Sequence, residues 1–146
     1  MLNAGALLVT MRLGGQLGDR WGSRIPVVTG MSIQAVSMFY FALLPANVPL
    51  VWVAVGLVAH GMGAGLSLAS LHRAAMSDVD TREAGAAAGV YSMIRFGGML
   101  LGTALGGVIL QQALDTRVTV VAYHTVFVLV AAASVLGALI GSRLKT

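Results

Sequence analysis

Apolar and polar positions in this chain alternate in long blocks, without the short period of a surface helix or strand. Residues 25–44, 50–71, 84–111 and 120–140 form apolar runs of twenty residues or more. A helix needs about 20 such residues to cross roughly 30 Å of hydrocarbon. Only helices and closed barrels satisfy their backbone groups in that medium. Each run therefore predicts a spanning helix. Residues 1–14 are also apolar apart from Asn3 and Arg12. Fourteen helical residues reach only about 21 Å, so this stretch reads as the tail of a fifth, partial span. A short interfacial segment, which Arg12 favours, is the alternative.

The polar blocks between the runs are short. Gly15–Arg24 packs Asp19, Arg20, Arg24 and the glycines 15, 18 and 22 into ten residues, and predicts a tight loop. Residues 45–49, bounded by Pro45 and Pro49, form an uncharged turn. Residues 72–83 are the most polar stretch, in which Asp80 and Glu83 have the spacing of a helix N-cap and its partner. Residues 112–119 carry Asp115 and Arg117, and Arg143 and Lys145 close the chain. The expected fold is all-α: a polytopic helical membrane protein with four full spans and one partial span.

Composition agrees. The 146 residues are 58% hydrophobic and 10% charged, with mean hydropathy +0.88. A soluble domain carries about 25% charged residues, and this chain has too few to cover a water-facing surface. The isoelectric point near 10.4 does not indicate nucleic acid, because the nine Lys and Arg form no basic face. They act as topology signals. Arg20, Arg24, Arg73, Arg82, Arg143 and Lys145 fall on one side of the predicted spans, and only Arg117 falls on the other. The positive-inside rule places the first group, and with it the C-terminus, in the cytoplasm. An integral protein of the plasma (inner) membrane is expected. There is no cysteine, hence no disulfide or thiolate site. No cleavable signal peptide is expected at residues 1–13. No metal-ligand spacing, phosphate loop or nucleophile–base arrangement occurs, so neither a cofactor, a metal nor an enzyme is expected.

A few residues stand out chemically. Gly98, Gly102 and Gly106 recur every four residues, a small-residue stripe that lets another helix come close. Arg95 lies twelve residues past Glu83 and His60 twelve residues before His72, so each is expected about 18 Å into the membrane. A charge there costs at least about 2.5–3.5 kcal/mol and belongs against a cavity or a partner. Arg95 and His60 are thus candidates for a substrate path. For Arg95, snorkelling or binding of backbone carbonyls stays open; for His60, so does neutral packing. No Asp or Glu lies inside a span. Single Ser and Thr in the apolar runs are expected to bond back to their own helix.

Gly15, Leu17, Asp19, Arg20, Gly22 and Arg24 resemble the G-x-L-a-D-R-x-G-R-R loop of the major facilitator superfamily. Ser23 stands where a basic residue is usual, and Gly18 where alanine is common. The run from Gly85 through Tyr91, Ser92, Arg95, Gly97, Gly98 and Gly102 to Gly106 is similar to the penultimate helix of the fourteen-span drug:proton antiporters. Gly61, Gly63 and Gly65, and the closing Tyr123, His124, Thr125 and Phe127, resemble the same family. The resemblance covers essentially the whole chain. It implies a C-terminal bundle fragment of a secondary active transporter that exports small molecules or drugs by alternating access. The implied partners are the lipid bilayer, the missing N-terminal half, a small-molecule substrate and protons, with any proton-coupling carboxylate supplied by the missing part. It also implies a gating latch of Gly15, Asp19, Arg20, Gly22 and Arg24, with Asp19 at the N-terminal end of the following helix and paired to basic residues across the loop. Two alternatives remain at this point: a complete small homo-oligomeric membrane protein, and a non-transporting anchor or regulatory subunit.

Overall fold

The computed structural model describes residues 2–45, 47–116 and 119–144. Arg117 and Lys145, two of the topology signals, lie outside the described residues, as does Ala46 in the expected turn. Five α-helices follow one another: α1 (Leu2–Trp21), α2 (Arg24–Leu43), α3 (Leu50–Met76), α4 (Ala84–Thr116) and α5 (Thr119–Gly141). The four expected full spans are α2 to α5, each long and apolar enough to cross a membrane. Many large apolar side chains face outward, such as Met93, Leu100 and Ile140, as hydrocarbon solvent allows.

Helix α1 corrects the reading of the first polar block. It runs for 20 residues and ends at Trp21, so Gly15–Arg20 are helical and the loop shrinks to Gly22 and Ser23. Of the three glycines expected to turn the chain, only Gly22 does so, at φ 77°, a left-handed angle that disfavours any side chain. Twenty helical residues reach about 30 Å, more than the partial span expected. Yet α1 is not apolar enough to count among the spans, because Asn3, Arg12, Gln16, Asp19 and Arg20 dilute it. Helix α3 likewise runs past the expected end at residue 71, to Met76, and α4 runs past 111 to Thr116.

The Asp80–Glu83 capping box does not form. Asp80 Oδ1 instead accepts the Arg82 amide at 3.0 Å, an Asx-type turn, and α4 begins after Glu83.

Helix α3 is the centre of the packing, and its glycine spacing explains why. Residues two apart on a helix sit about 200° apart, so Gly61 and Gly65 face one way and Gly63 the other. A side chain at Gly61 would meet the Asn3 carbonyl, and one at Gly65 the Thr10 hydroxyl, both on α1. A side chain at Gly63 would lie 2.5 Å from the Gly30 carbonyl of α2, and one at Gly30 would lie 2.6 Å from the Gly63 carbonyl. Helix α3 is thus held between α1 and α2, with backbone against backbone on both sides.

Polar groups tie these crossings. Ser70 Oγ donates to Gly14 O at 3.1 Å, Gln34 Nε2 to Ser67 Oγ at 2.9 Å and Ser37 Oγ to Gly56 O at 2.8 Å. In membranes such bonds average about 0.6 kcal/mol each. The expectation that Ser and Thr bond back holds for Thr29, Thr103, Thr125 and Ser134, but Ser37 and Ser70 bond across to a neighbouring helix.

Helix α2 uses its other face against α5, where Phe41 stacks on Phe127 at 5.5 Å and Met31 fills the space at Gly137. The fourth helix is different. It leans on α5 and on α3, but no residue in its most apolar stretch is buried.

Candidate functional site

The polar end of the bundle gathers the α1–α2 turn, the end of α3 and the stretch after α5. Asp19 lies in the last turn of α1, so the implied place at the N-terminus of the following helix is corrected. A carboxylate at a helix C-terminus meets the negative end of the dipole and is disfavoured there. Its compensation is Arg73, on the last turns of α3, whose Nη1 lies 2.6 Å from Asp19 Oδ1. Among the described residues this is the only ion pair within 4 Å. Arg73 crosses α1 beside Gly18, with Cδ 3.5 Å from where a Cβ would stand. An alanine would make only ordinary contact there, in keeping with the alanine common at that place.

The rest of the implied latch is not drawn in. Arg20 and Arg24 are exposed and make no ion pair among the described residues, and a side chain at Gly15 would meet nothing within 4 Å. The pair therefore joins two helices of one bundle. It is also open to solvent, with side chains 41% and 73% exposed for Arg73 and Asp19. Such a bridge contributes about 0–1 kcal/mol. That is too little to hold the fold.

Among the described residues, two side-chain nitrogens inside the span region are buried without a hydrogen-bond partner: His60 Nδ1 and Arg95 Nε. They are the two residues that sequence had singled out. The Arg95 guanidinium lies 4.8 Å from the Phe96 ring centroid, a cation–π contact that offsets part of its desolvation. The two stand at different distances from the ends of their helices. His60 stands sixteen residues before Met76, about 24 Å along the helix, and Arg95 eleven residues past Ala84, about 16 Å. His60 opens instead onto a cleft of about 690 Å³ between α3, α4 and α5, lined also by Met99, Gly102, Gly106 and Val130. Arg95 falls two turns from Gly102 on the same face of α4, nearer the polar end, where His72 and Tyr91 meet edge to face at 5.2 Å.

The glycine stripe itself is open. A side chain at Gly98, Gly102 or Gly106 would meet nothing within 4 Å. The close helix approach expected there occurs instead at Gly14, Gly30, Gly61, Gly63 and Gly65. Sequence reasoning missed Gly14, Gly30 and Arg73 as site-forming positions. The alternating Gly61-x-Gly63-x-Gly65 was the signal for two packed faces, whereas Arg73, 54 residues from Asp19, left no local trace.

Comparison with known proteins follows the same lines. The chain is 25% identical over 134 residues to the uncharacterized MFS-type transporter YvkA of Bacillus subtilis, covering 92% of this chain and 28% of that protein. It is 33% identical over 101 residues to the drug efflux pump JefA of Mycobacterium tuberculosis, covering 69% of this chain and 20% of that protein. The matched region is thus between a fifth and a third of either relative's length. The model of the Major Facilitator Superfamily matches residues 1–145. With its spanning helices and its Asp-Arg-x-Gly turn, this chain belongs to the Major Facilitator Superfamily.

Proposed function

We propose that residues 1–146 supply part of the C-terminal bundle of a secondary active exporter of small molecules. It works by alternating access against a second bundle, in exchange for protons, in the plasma membrane with the C-terminus cytoplasmic. Family membership carries the transporter reading, and the likeness to a drug efflux pump supports export. The most apolar stretch of α4, in which no residue is buried, supports a second bundle packed against it, and the unpaired Arg95 Nε supports a polar partner from outside the described residues. In transporters built from repeats, substrate binds near the midplane between bundles. Arg95 is then placed to hold an anionic group there, or a carboxylate supplied by the other bundle. His60 serves the same path from the α3 side. Asp19–Arg73 forms in one state and breaks in the other.

Two expectations test this. Vesicles containing only residues 1–146 should show no flux of a lipophilic dye such as ethidium under a pH gradient; gradient-driven flux through this chain alone would overturn the two-bundle reading. In the transporter that carries this bundle, Asp19→Asn and Arg73→Gln should each slow efflux several-fold while moving stability by less than about 1 kcal/mol. The reversed pair, Asp19→Arg with Arg73→Asp, should recover part of the rate. If the reversed pair is as slow as the sum of its parts, the bridge has no gating role.

A further inference from the structure

At the polar end of the bundle a cleft of about 570 Å³ opens between the α1–α2 turn, the end of α3 and the stretch after α5. Two guanidinium groups line it, Arg73 from the end of α3 and Arg143 from the turn after α5, together with Ser23 and Ser77. Arg143 makes no ion pair among the described residues and is exposed. Arg73 is engaged by Asp19 but remains 41% exposed, so a second anion can reach it. Ser23 is buried, yet its hydroxyl makes no cap bond to α2, and the positive end of that helix adds to the local field. Two carboxylates oppose an anion here, Asp78 in the lining and Asp19 on Arg73. The remaining wall includes Ala74 and Leu144, which give an apolar surface beside the charged one.

We propose that this cleft binds the phosphate of an anionic phospholipid headgroup, held by Arg143 and shared by Arg73. The ligand chemistry is a phosphate monoanion, which matches paired guanidinium donors. The lipid is favoured as its source by place and shape. The cleft lies where the apolar spans end, at headgroup level, and its mixed lining suits a phosphate followed by a glycerol backbone. Basic recesses between membrane helices bind anionic headgroups for this reason. The lipid and Asp19 compete for Arg73, so bound lipid weakens the Asp19–Arg73 bridge. Membrane composition thereby sets how firmly α1 and α3 are tied. The site stands on the cleft alone and does not require the export reading.

The test is native mass spectrometry of the purified protein in detergent, titrated with dioleoylphosphatidylglycerol, dioleoylphosphatidylcholine or inorganic phosphate. Phosphatidylglycerol should bind at low stoichiometry and phosphatidylcholine should not. Arg143→Gln should weaken phosphatidylglycerol roughly fivefold, the weight of about one surface cation at an anionic bilayer. Arg82→Gln, which removes a cation of the α3–α4 connection outside the cleft, should leave affinity unchanged. Asp19→Asn, which frees Arg73, should strengthen binding about as much as Arg143→Gln weakens it. Equal losses in the Arg143 and Arg82 variants would show diffuse attraction and overturn the site. Full competition by inorganic phosphate at the same concentration would overturn the lipid as its occupant. An unchanged affinity in Asp19→Asn would overturn the competition for Arg73.

Discussion

Gly63→Ala is expected to lower the unfolding free energy of this protein by about 3 kcal/mol, the upper end of the usual cost of overpacking. The methyl group would sit 2.5 Å from the Gly30 carbonyl and 2.9 Å from the Gln34 amide nitrogen. Both are backbone atoms of α2 and cannot swing aside as a side chain can. Helices α2 and α3 must part, and the Gln34–Ser67 and Ser37–Gly56 bonds flank the crossing that opens. Gly30→Ala should cost about as much, because its methyl would strike the same crossing from the other side. The double variant should cost clearly less than the two singles added, since one separation relieves both clashes. Gly102→Ala is the control. Its methyl meets nothing within 4 Å, and the gain in helix propensity of up to about 1 kcal/mol should leave stability level or slightly raised. Unfolding in mixed micelles, followed by far-ultraviolet circular dichroism, reads all four. Equal midpoints for Gly63→Ala and Gly102→Ala would remove the α2–α3 crossing as the tight point of the fold.

The second large effect concerns Arg95, where stability and transport should move in opposite directions. In this chain Arg95 Nε is buried without an acceptor, and an unpaired buried donor costs about 1–3 kcal/mol. Leucine at this depth is favourable, where arginine costs at least about 2.5–3.5 kcal/mol. Arg95→Leu should therefore raise the stability of the protein in micelles by at least about 1 kcal/mol, net of the lost contact with Phe96. In the complete transporter the same change should cut efflux tenfold or more, because the group placed to meet an anion is gone. Arg95→Lys separates charge from geometry: recovery of transport would mean that charge suffices, and no recovery that the planar fork is needed. Loss of stability together with unchanged efflux would make Arg95 a packing residue and end its place in the substrate path.

The spans were legible because hydrocarbon imposes a length and a composition that hydropathy reports directly. The helix ends were not. Gly15–Trp21 and His72–Met76 are helical yet polar, since a helix entering the headgroup region keeps its hydrogen bonds while its side chains meet water. A block pattern therefore reads the membrane boundary, and the helix boundary lies beyond it. Glycines show the same limit. Gly98, Gly102 and Gly106 have a cleaner four-residue period than Gly14 or Gly30, yet the latter two carry the close contacts. A small residue permits approach, and only the partner helix decides whether approach occurs. The candidate site was half legible for a related reason. His60 and Arg95 stood out by type against an apolar background. The bond from Asp19 to Arg73 depends on α3 returning beside α1, which no local spacing encodes.

The place of α3 between α1 and α2 also governs how the protein is made. Helices α1 and α2 leave the ribosome before α3, joined only by Gly22 and Ser23, yet their main contacts are with α3 and not with each other. At about 5–20 residues per second, the stretch from the end of α2 to Ser70 takes on the order of seconds to emerge. During that interval the nascent hairpin stands in the insertion machinery with Gly14 and Gly30 uncovered and its two arms parted. Assembly is then a wedge step, in which the third helix enters a gap held open for it. A pause in translation between the end of α2 and Gly61 leaves these two helices without the one that joins them.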